Sequence, residues 1–455
     1  MSPTVDRRTL LQGGAATGLL LATGALTAPA AGAAPLQAGA DAATGPMTGH
    51  VAETTARIWA RPGSDLRGRT SWTCTLTPAS GAARTATATL SADNDDTLLF
   101  DARALAPGTG YQYAIVPTGL PDAPALTGSF RTAPPAGAPA RVTVGMGSCA
   151  PDGPNTVWNR IRAEGCDSFV LLGDTPYIDS GDLAVARRKQ RAFLQEPDVA
   201  AVVGSMPVWA TWDDHDFGLN DTAGDFPGKA ATRRAFVDYR ANATFGHATD
   251  GTPLTGRGRG EGVYTSFRRG PIEVFLLDPR WFSRTGPSFA DGSKQTFIGT
   301  TQWEWLRDGL RSSTATFKAI ASGAIWDDKG NTESDDWGTY PYERDAILDF
   351  VKDEEIPGCF LVGGDIHVSR ALDYGPRVGY DLWQFIVSPL HDRTIPSLNV
   401  PNPALVHSAV EPYTFLTLVA DTTVAPATLT ATWINRDGRR LFEVRRTATE
   451  MGHPA

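Results

Sequence analysis

The chain has 455 residues, 41% of them apolar and 20% charged, which is material for more than one packed core, because single cores stop growing at roughly 250 to 300 residues. No interior run approaches the ~18 consecutive apolar residues of a membrane-spanning helix, so no stable span is expected once an N-terminal signal is removed. The formal charge of −9 argues against a broad basic face for nucleic acid.

The first residues read Asp6-Arg7-Arg8-Thr9-Leu10-Leu11, then a mildly apolar Gly/Ala/Leu stretch to about Ala28, then Ala31-Gly32-Ala33. A paired arginine before an apolar run and a small-residue cleavage site is the pattern of a twin-arginine signal peptide, expected over residues 1–33. It implies delivery to the twin-arginine export machinery, transport in the folded state, and a secreted or extracytoplasmic location. Removing one Asp and two Arg takes the formal charge from −9 to −10.

From about residue 45 to 133 the sequence is rich in Thr and Ala, with alternating stretches such as Ala56-Arg57-Ile58-Trp59-Ala60-Arg61 and Tyr111-Gln112-Tyr113-Ala114-Ile115-Val116. Period-two alternation broken by Pro and Gly turns indicates a small antiparallel sandwich, of fibronectin or immunoglobulin type. Pro134-Pro135-Ala136-Gly137-Ala138-Pro139 reads as a linker.

Beyond it, over residues 140–455, short continuous apolar strands alternate with helical segments. The strands are Val142–Gly147, Phe169–Leu172, Val208–Trp212, Ile272–Leu277 and Cys359–Val362, and the helices include Asp182–Leu194 and Tyr342–Lys352. Strands buried on both faces and separated by helices indicate a layered α/β domain. Alternation returns near the C-terminus, in Thr414–Val419 and Leu441–Val444, as strands expected to complete its sheet. Four cysteines are too few for a disulfide scaffold. Most are expected as buried thiols, with a Cys166–Cys359 bridge the one conceivable pairing.

Residues with catalytic chemistry gather at strand ends, the edge where ligands bind in open α/β folds. One strand runs into Gly147-Ser148-Cys149 and the next into Gly173-Asp174-Thr175-Pro176-Tyr177-Ile178-Asp179. A third runs into Trp212-Asp213-Asp214-His215-Asp216 and a late one into Gly363-Gly364-Asp365-Ile366-His367. Carboxylates as close as Asp213, Asp214 and Asp216 repel one another unless cations or arginines balance them.

In this order the motifs resemble the alkaline phosphatase D (PhoD-like) family of metallophosphoesterases from about residue 45 to the end. Leu277-Asp278-Pro279-Arg280, Gln302-Trp303-Glu304-Trp305-Leu306 and Asp335-Asp336-Trp337-Gly338-Thr339-Tyr340 before Glu343-Arg344 are similar too. The resemblance implies a sandwich of two mixed β-sheets flanked by helices and preceded by the small all-β domain. It implies a phosphomonoesterase or phosphodiesterase acting by attack of a metal-bound hydroxide. Asp174-x-x-Tyr177 also looks like the spacing of purple acid phosphatases, which makes Asp174 the bridging ligand and Tyr177 a phenolate ligand to Fe3+. Cys149 stands where most metallophosphoesterases have Asp or His, and thiolate with phenolate favours iron over magnesium. Asp214 then binds the second metal, His215 assists the leaving group, and Asp365 and His367 close the site. Asn220 and Asp335 resemble positions supplying oxygen to Ca2+, a hard cation that takes six to eight such ligands.

The chain departs from the pattern at Pro176 and Pro279, which remove no ligand but bear on the substrate mouth, and no convincing amphipathic C-terminal helix caps the site. A competing reading is a secreted binding or adhesion protein whose phosphoesterase domain is vestigial. A third is metal-dependent hydrolysis of a non-phosphate ester or amide, which the motif order disfavours.

Overall fold

The computed structural model describes residues 41–454 apart from 152 and 328. The signal-peptide reading of residues 1–33 lies outside the described residues.

The alternating N-terminal stretches form seven strands, β1 (Thr44–Val51), β2 (Ala56–Arg61), β3 (Ser71–Pro78), β4 (Arg84–Thr89), β5 (Leu98–Ala102), β6 (Gly110–Pro117) and β7 (Leu126–Arg131). They pair only antiparallel, in two sheets ordered β1-β2-β5 and β4-β3-β6-β7. Period two explains how β2 serves two cores. Ala56, Ile58 and Ala60 face the sandwich interior with Trp72 and Phe100. Trp59 faces the other way into the core of the following domain, where its indole N–H donates to Asp238 O at 2.7 Å. Gly49 makes the approach possible, because a Cβ there would stand 2.2 Å from that of Ala241.

Thirteen further strands build two mixed sheets. Strands β8 (Arg141–Gly147), β9 (Ser168–Leu172) and β10 (Val208–Thr211) run parallel. In the other sheet β11 (Thr265–Arg269) is antiparallel to β12 (Ile272–Leu276), and β12, β13 (Phe317–Ala321), β14 (Cys359–Gly363) and β16 (Trp383–Ile386) run parallel, with β15 (Ser369–Asp373) and β17 (Leu405–Ala409) at its far edge. The C-terminal strands β18 (Thr414–Asp421), β19 (Thr428–Asn435) and β20 (Arg440–Thr447) extend the first sheet antiparallel from β8. They complete the sheet as the sequence suggests.

The same two-residue period sorts each continuous apolar strand between two cores. In β9, Val170 and Leu172 lie in the core between the sheets, while Phe169 and Leu171 pack outward with Trp158, Phe193 and Phe236 of the covering helices. In β14, Phe360 and Val362 face inward, and Cys359 and Leu361 pack with Leu306, Ile347 and Val351 of helices Thr300–Ser312 and Pro341–Asp353. Each such side chain contributes roughly 1.5–3 kcal/mol of burial. A charge at Leu172 would sit between the sheets with no partner.

Two expectations need correction. Strand β10 ends at Thr211, not Trp212, whose indole N–H donates to Asp278 Oδ1 at 2.6 Å. Asp182 caps its helix instead of belonging to it, accepting from Val185 N at 2.9 Å, and the helix is Leu183–Gln195. The cysteines follow the expectation of buried thiols: all four are free and buried, without the conceivable Cys166–Cys359 bridge. Cys166 precedes β9 and Cys359 opens β14 of the other sheet, and they pack into the separate outer cores.

Candidate metal centre

Parallel β8, β9 and β10 in one sheet, with β14 and β16 in the other, deliver their following loops to the site. Cys149 (φ 63°), Asp174 (φ 53°), Asp365 (φ 66°) and His367 (φ 53°) all take the left-handed conformation. For non-glycine residues this costs about 1 kcal/mol or more each and persists only where the surroundings hold it. Here Cys149 N donates to Gly173 O at 3.1 Å, Ala150 N to Asp174 O at 2.8 Å, and His367 N to Ser388 Oγ at 3.0 Å.

The acidic run after β10 divides into different jobs. Asp216 is buried and spends its carboxylate on backbone amides, accepting from Asp213 N and Thr175 N at 3.1 Å each and from Asp174 N at shorter range. It therefore fixes the turn that carries Asp174. Asp213 is paired with the buried Arg280 guanidinium, whose Nη1 also reaches Asp335 Oδ2 at 2.7 Å. Lys329 Nζ lies 2.8 Å from both Asp335 Oδ1 and Asp365 Oδ2. Arginine and lysine thus supply the balance such a run requires.

Asp214 is the hub. One potential ligand atom from each member of three groups, Asp174/Asp214/His215, Asp213/Asp214/Asp365 and Asp214/Asp221/Asp335, lies within 4.8 Å of the others in its group. Asp214 Oδ2 accepts from Asp221 N at 2.9 Å, whereas Asp214 Oδ1, Asp213 Oδ2, Asp221 Oδ1 and His367 Nδ1 are buried without a hydrogen-bond partner. Leaving such acceptors bare costs about 1–3 kcal/mol each, more when charged. Oxygen-rich groups with open lone pairs fit hard cations.

On the other side, Cys149 Sγ lies 3.6 Å from Asp174 Oδ2, and Tyr177 Oη is 3.0 Å from His367 Nε2 and 3.2 Å from His391 Nε2. His215 bonds Asp179 Oδ1 through Nδ1, and its backbone N donates to Asp174 Oδ1 at 3.3 Å. These residues open on a cavity of about 590 Å³, lined by Asp174, Tyr177, Asp214, His215, Asp365 and His367 among others.

Burial governs the titrations. It pushes the Asp174 carboxyl well up, helped by Asp214 and Asp213, and holds Asp365 up at about 6 against the pull of Lys329. Burial and then the neighbouring carboxylate of Asp174 raise the Cys149 thiol, and burial, then Cys149 and Asp174, raise the Tyr177 phenol. His367 falls to about 3 and His391 to about 4, burial being the largest cause in both, so both imidazoles are neutral ligand-type donors at pH 7. A thiolate and a phenolate here need a cation beside them, and binding one releases their protons. The donor set fits metal ions on that ground as well as on its orphaned oxygens.

A model of the PhoD-like phosphatase family matches residues 143–412, more than half of the chain. The chain belongs to the PhoD-like phosphatase family. It is 28% identical over 207 residues to alkaline phosphatase D of Bacillus subtilis (strain 168), an alignment covering 41% of this chain and 35% of that protein, so it spans about a third of the relative's length. The solved structure of PhoD superposes with a TM-score of 0.67 at 17% identity, over 88% of this chain and 91% of that one. Purple acid phosphatase PPD1 from yellow lupin (Lupinus luteus) seeds gives 0.67 at 12% identity, over 89% and 74%. At those identities the likeness shows a shared mixed α/β fold.

Of the residues singled out from this PhoD-like sequence, Asp174, Tyr177, Asp214, His215, Asp365 and His367 line one cavity, and Cys149 is buried behind it against Asp174. Asp335 joins the Asp214 group from below while paired with Arg280 and Lys329. Asn220 stands exposed on the rim, 3.4 Å from Glu333 Oε1, and its neighbour Asp221 is the one whose carboxylate reaches Asp214 and Asp335. Sequence reasoning gave no role to Asp179, Asp221, Lys329 or His391. His391 had a usable signal, since Ser388-Pro389-Leu390-His391 follows the apolar β16 as the other motifs follow their strands. Lys329 had none, lying in a loop without periodicity.

Proposed function

We propose that the chain is an exported, metal-dependent phosphoesterase that hydrolyses phosphomonoesters, phosphodiesters or both. In this reading Cys149, Asp174 and Tyr177 hold Fe3+, Asp214 and Asp335 hold a second divalent ion, Ca2+, with Asp221 taking the place expected of Asn220, and Asp365 and His367 close the site. Membership of the PhoD-like family supports the reaction class. The observation that supports metal binding is the sharing of Asp214 by three ligand groups with unsatisfied carboxylate oxygens.

When bound, such cations polarise phosphoryl oxygens and lower the pKa of water. The chain's own residues do the rest. Asp174 is held by the backbone around Asp216 so that its carboxylate keeps a fixed direction toward Asp214 and His215. Asp179 fixes His215 through Nδ1, which leaves Nε2 to give a proton to the departing oxygen, a role worth roughly 10² to 10⁴ in rate. Arg393 and Lys189 on the cavity wall add positive charge to attract the ester.

The same proposal includes export by the twin-arginine route, and a division into a signal peptide (1–33), an N-terminal sandwich (45–133) and a catalytic domain (140–455). The strand order β1-β2-β5 over β4-β3-β6-β7 supports a fibronectin or immunoglobulin-like type for the sandwich. Turnover of p-nitrophenyl phosphate and bis(p-nitrophenyl) phosphate with iron and calcium supplied tests the reading. Release of nitrophenol from at least one is expected, and no turnover of either at any pH would refute it.

A further inference from the structure

A second cavity, about 740 Å³, shares no lining residue with the metal centre. Its walls come from the turn Ala92–Asn94 of the N-terminal sandwich, helices Leu183–Gln195 and Lys229–Tyr239, the loop 257–260, and Trp281. Five arginines line it, Arg187, Arg233, Arg234, Arg257 and Arg259, against one acidic lining residue, Asp93. In a chain with net charge −9 this is a local reversal of sign.

Nearby carboxylates offset part of that charge, Asp238 on Arg187, Arg234 and Arg257, and Asp278 with Glu261 on Arg233. Asp238 serves Arg187 and Arg234 together, the nearer contacts at 2.5 and 3.3 Å. Arg187 Nη2 and Arg234 Nη2 both donate to Asp93 O at 2.7 Å, so they tie the sandwich to the helices. Arg233 gives its donors to the carbonyls of Gly262, Gly258 and Phe245, which satisfy hydrogen bonds but cancel no charge. Arg257 uses only Nη1, on Thr97 O at 3.0 Å, and its Nε and Nη2 are buried without a partner. Arg259 forms no ion pair or hydrogen bond among the described residues and is exposed.

We propose that this cavity is a second binding site, for a small organic phosphate. Guanidinium groups match phosphate oxygens in forked geometry, and the volume lies within the roughly 300–1,000 Å³ of small-molecule pockets. Leu183 and the part of the Trp281 ring left open beside Lys229, whose Nζ lies 4.5 Å from the ring centroid, add apolar surface that suits an organic group on the anion. Binding here does not depend on the proposed hydrolysis, since the two cavities share no lining residue. It also gives the sandwich a task, because the site exists only where its Ala92–Asn94 turn meets the two helices.

Calorimetric titration of the metal-loaded full chain with phenylphosphonate, which is not hydrolysed, tests the site. Binding is expected to the wild type and to Asp214→Asn. The Arg257→Gln/Arg259→Gln double variant is expected to lose one equivalent and keep wild-type phosphatase turnover. Arg259→Glu, a change at a side chain that bonds nothing, is expected to weaken this equivalent about tenfold by reversing a charge beside the anion. Unchanged titrations in both arginine variants would overturn the proposal. Inorganic phosphate binding here as tightly as phenylphosphonate would overturn the assignment to an organic phosphate. Should no ester be turned over while the arginine-dependent equivalent remains, the hydrolase reading falls and this one stands.

Discussion

Replacing Arg280 by Met is the most informative single change to the acidic cluster. The guanidinium pairs with Asp213, lies 2.7 Å from Asp335 Oδ2 and 3.8 Å from Asp214 Oδ1, and is buried with both main partners. Asp335 keeps Lys329 at 2.8 Å after the substitution, whereas Asp213 is left with no cation, its Oδ2 being already without a partner. Removing one member of a buried pair costs about 3–5 kcal/mol, a large share of the roughly 5–15 kcal/mol by which domains are stable. Protonation caps the penalty, because burial holds the Asp213 carboxyl high even beside Arg280. The defect therefore shrinks as the pH falls. Urea denaturation of chelated protein at about pH 7.5 measures it, with Arg280→Met/Asp213→Leu as the closing corner of a cycle. The double variant is expected to recover much of the loss, with at least about 1 kcal/mol of non-additivity. A single-variant loss under about 1 kcal/mol, or strictly additive effects, would refute the claim that Arg280 is the counter-ion of Asp213.

His215→Asn is expected to lower kcat about 10²- to 10⁴-fold with unchanged metal content, and Asp179→Asn to lower it less, by loosening the imidazole. Steady-state rates with elemental analysis on both variants check this, and equal rates to wild type would remove His215 from proton transfer. Tyr177→Phe is expected to bleach a violet phenolate-to-iron absorption, and Cys149→Ala to lose iron while keeping its circular dichroism; iron content unchanged in Cys149→Ala would take the thiol out of the site. In chelated protein, burial raises Asp216 and Asp365 to about 6, and burial with the nearby Asp335 raises Asp221 to about 7. These folded values exceed the unfolded ones near 4, so between them the folded state binds more protons. Stability of the chelated protein is then expected to rise as pH falls from about 8 to 5 and to be lost as pH climbs through 6 to 7. Bound cations, which keep the carboxylates ionised, should flatten this slope, and denaturation midpoints independent of pH in chelator would contradict it.

Much of this was legible because the physics is local. Continuous apolar runs such as Phe169–Leu172 mark strands buried on both faces, and the groups that follow them share an edge wherever such strands run parallel. The motifs that hold Cys149, Asp174, Asp214 and Asp365 are legible that way, and their roles come from the family resemblance. Partners supplied from distant loops were not legible. Lys329 reaches Asp365 across 36 positions, and Arg280 reaches Asp213 across 67. Neither contact leaves a periodic trace in the sequence. The division of labour in Asp213-Asp214-His215-Asp216 was equally hidden, since only the fold distinguishes a carboxylate that holds backbone amides from one left open to a cation. The cysteines behave as the buried thiols the sequence suggests, and only the fold shows that the strands following Cys166 and containing Cys359 belong to different sheets.

The central claim is that these side chains hold metal ions that the hydrolysis requires. Metal content and bis(p-nitrophenyl) phosphate turnover measured on the same sample before chelation, after it, and after iron and calcium are restored test it most directly. The account predicts about one iron and at least one calcium per chain, turnover lost with them, and turnover regained on restoration. Full turnover in protein stripped of both metals would contradict it.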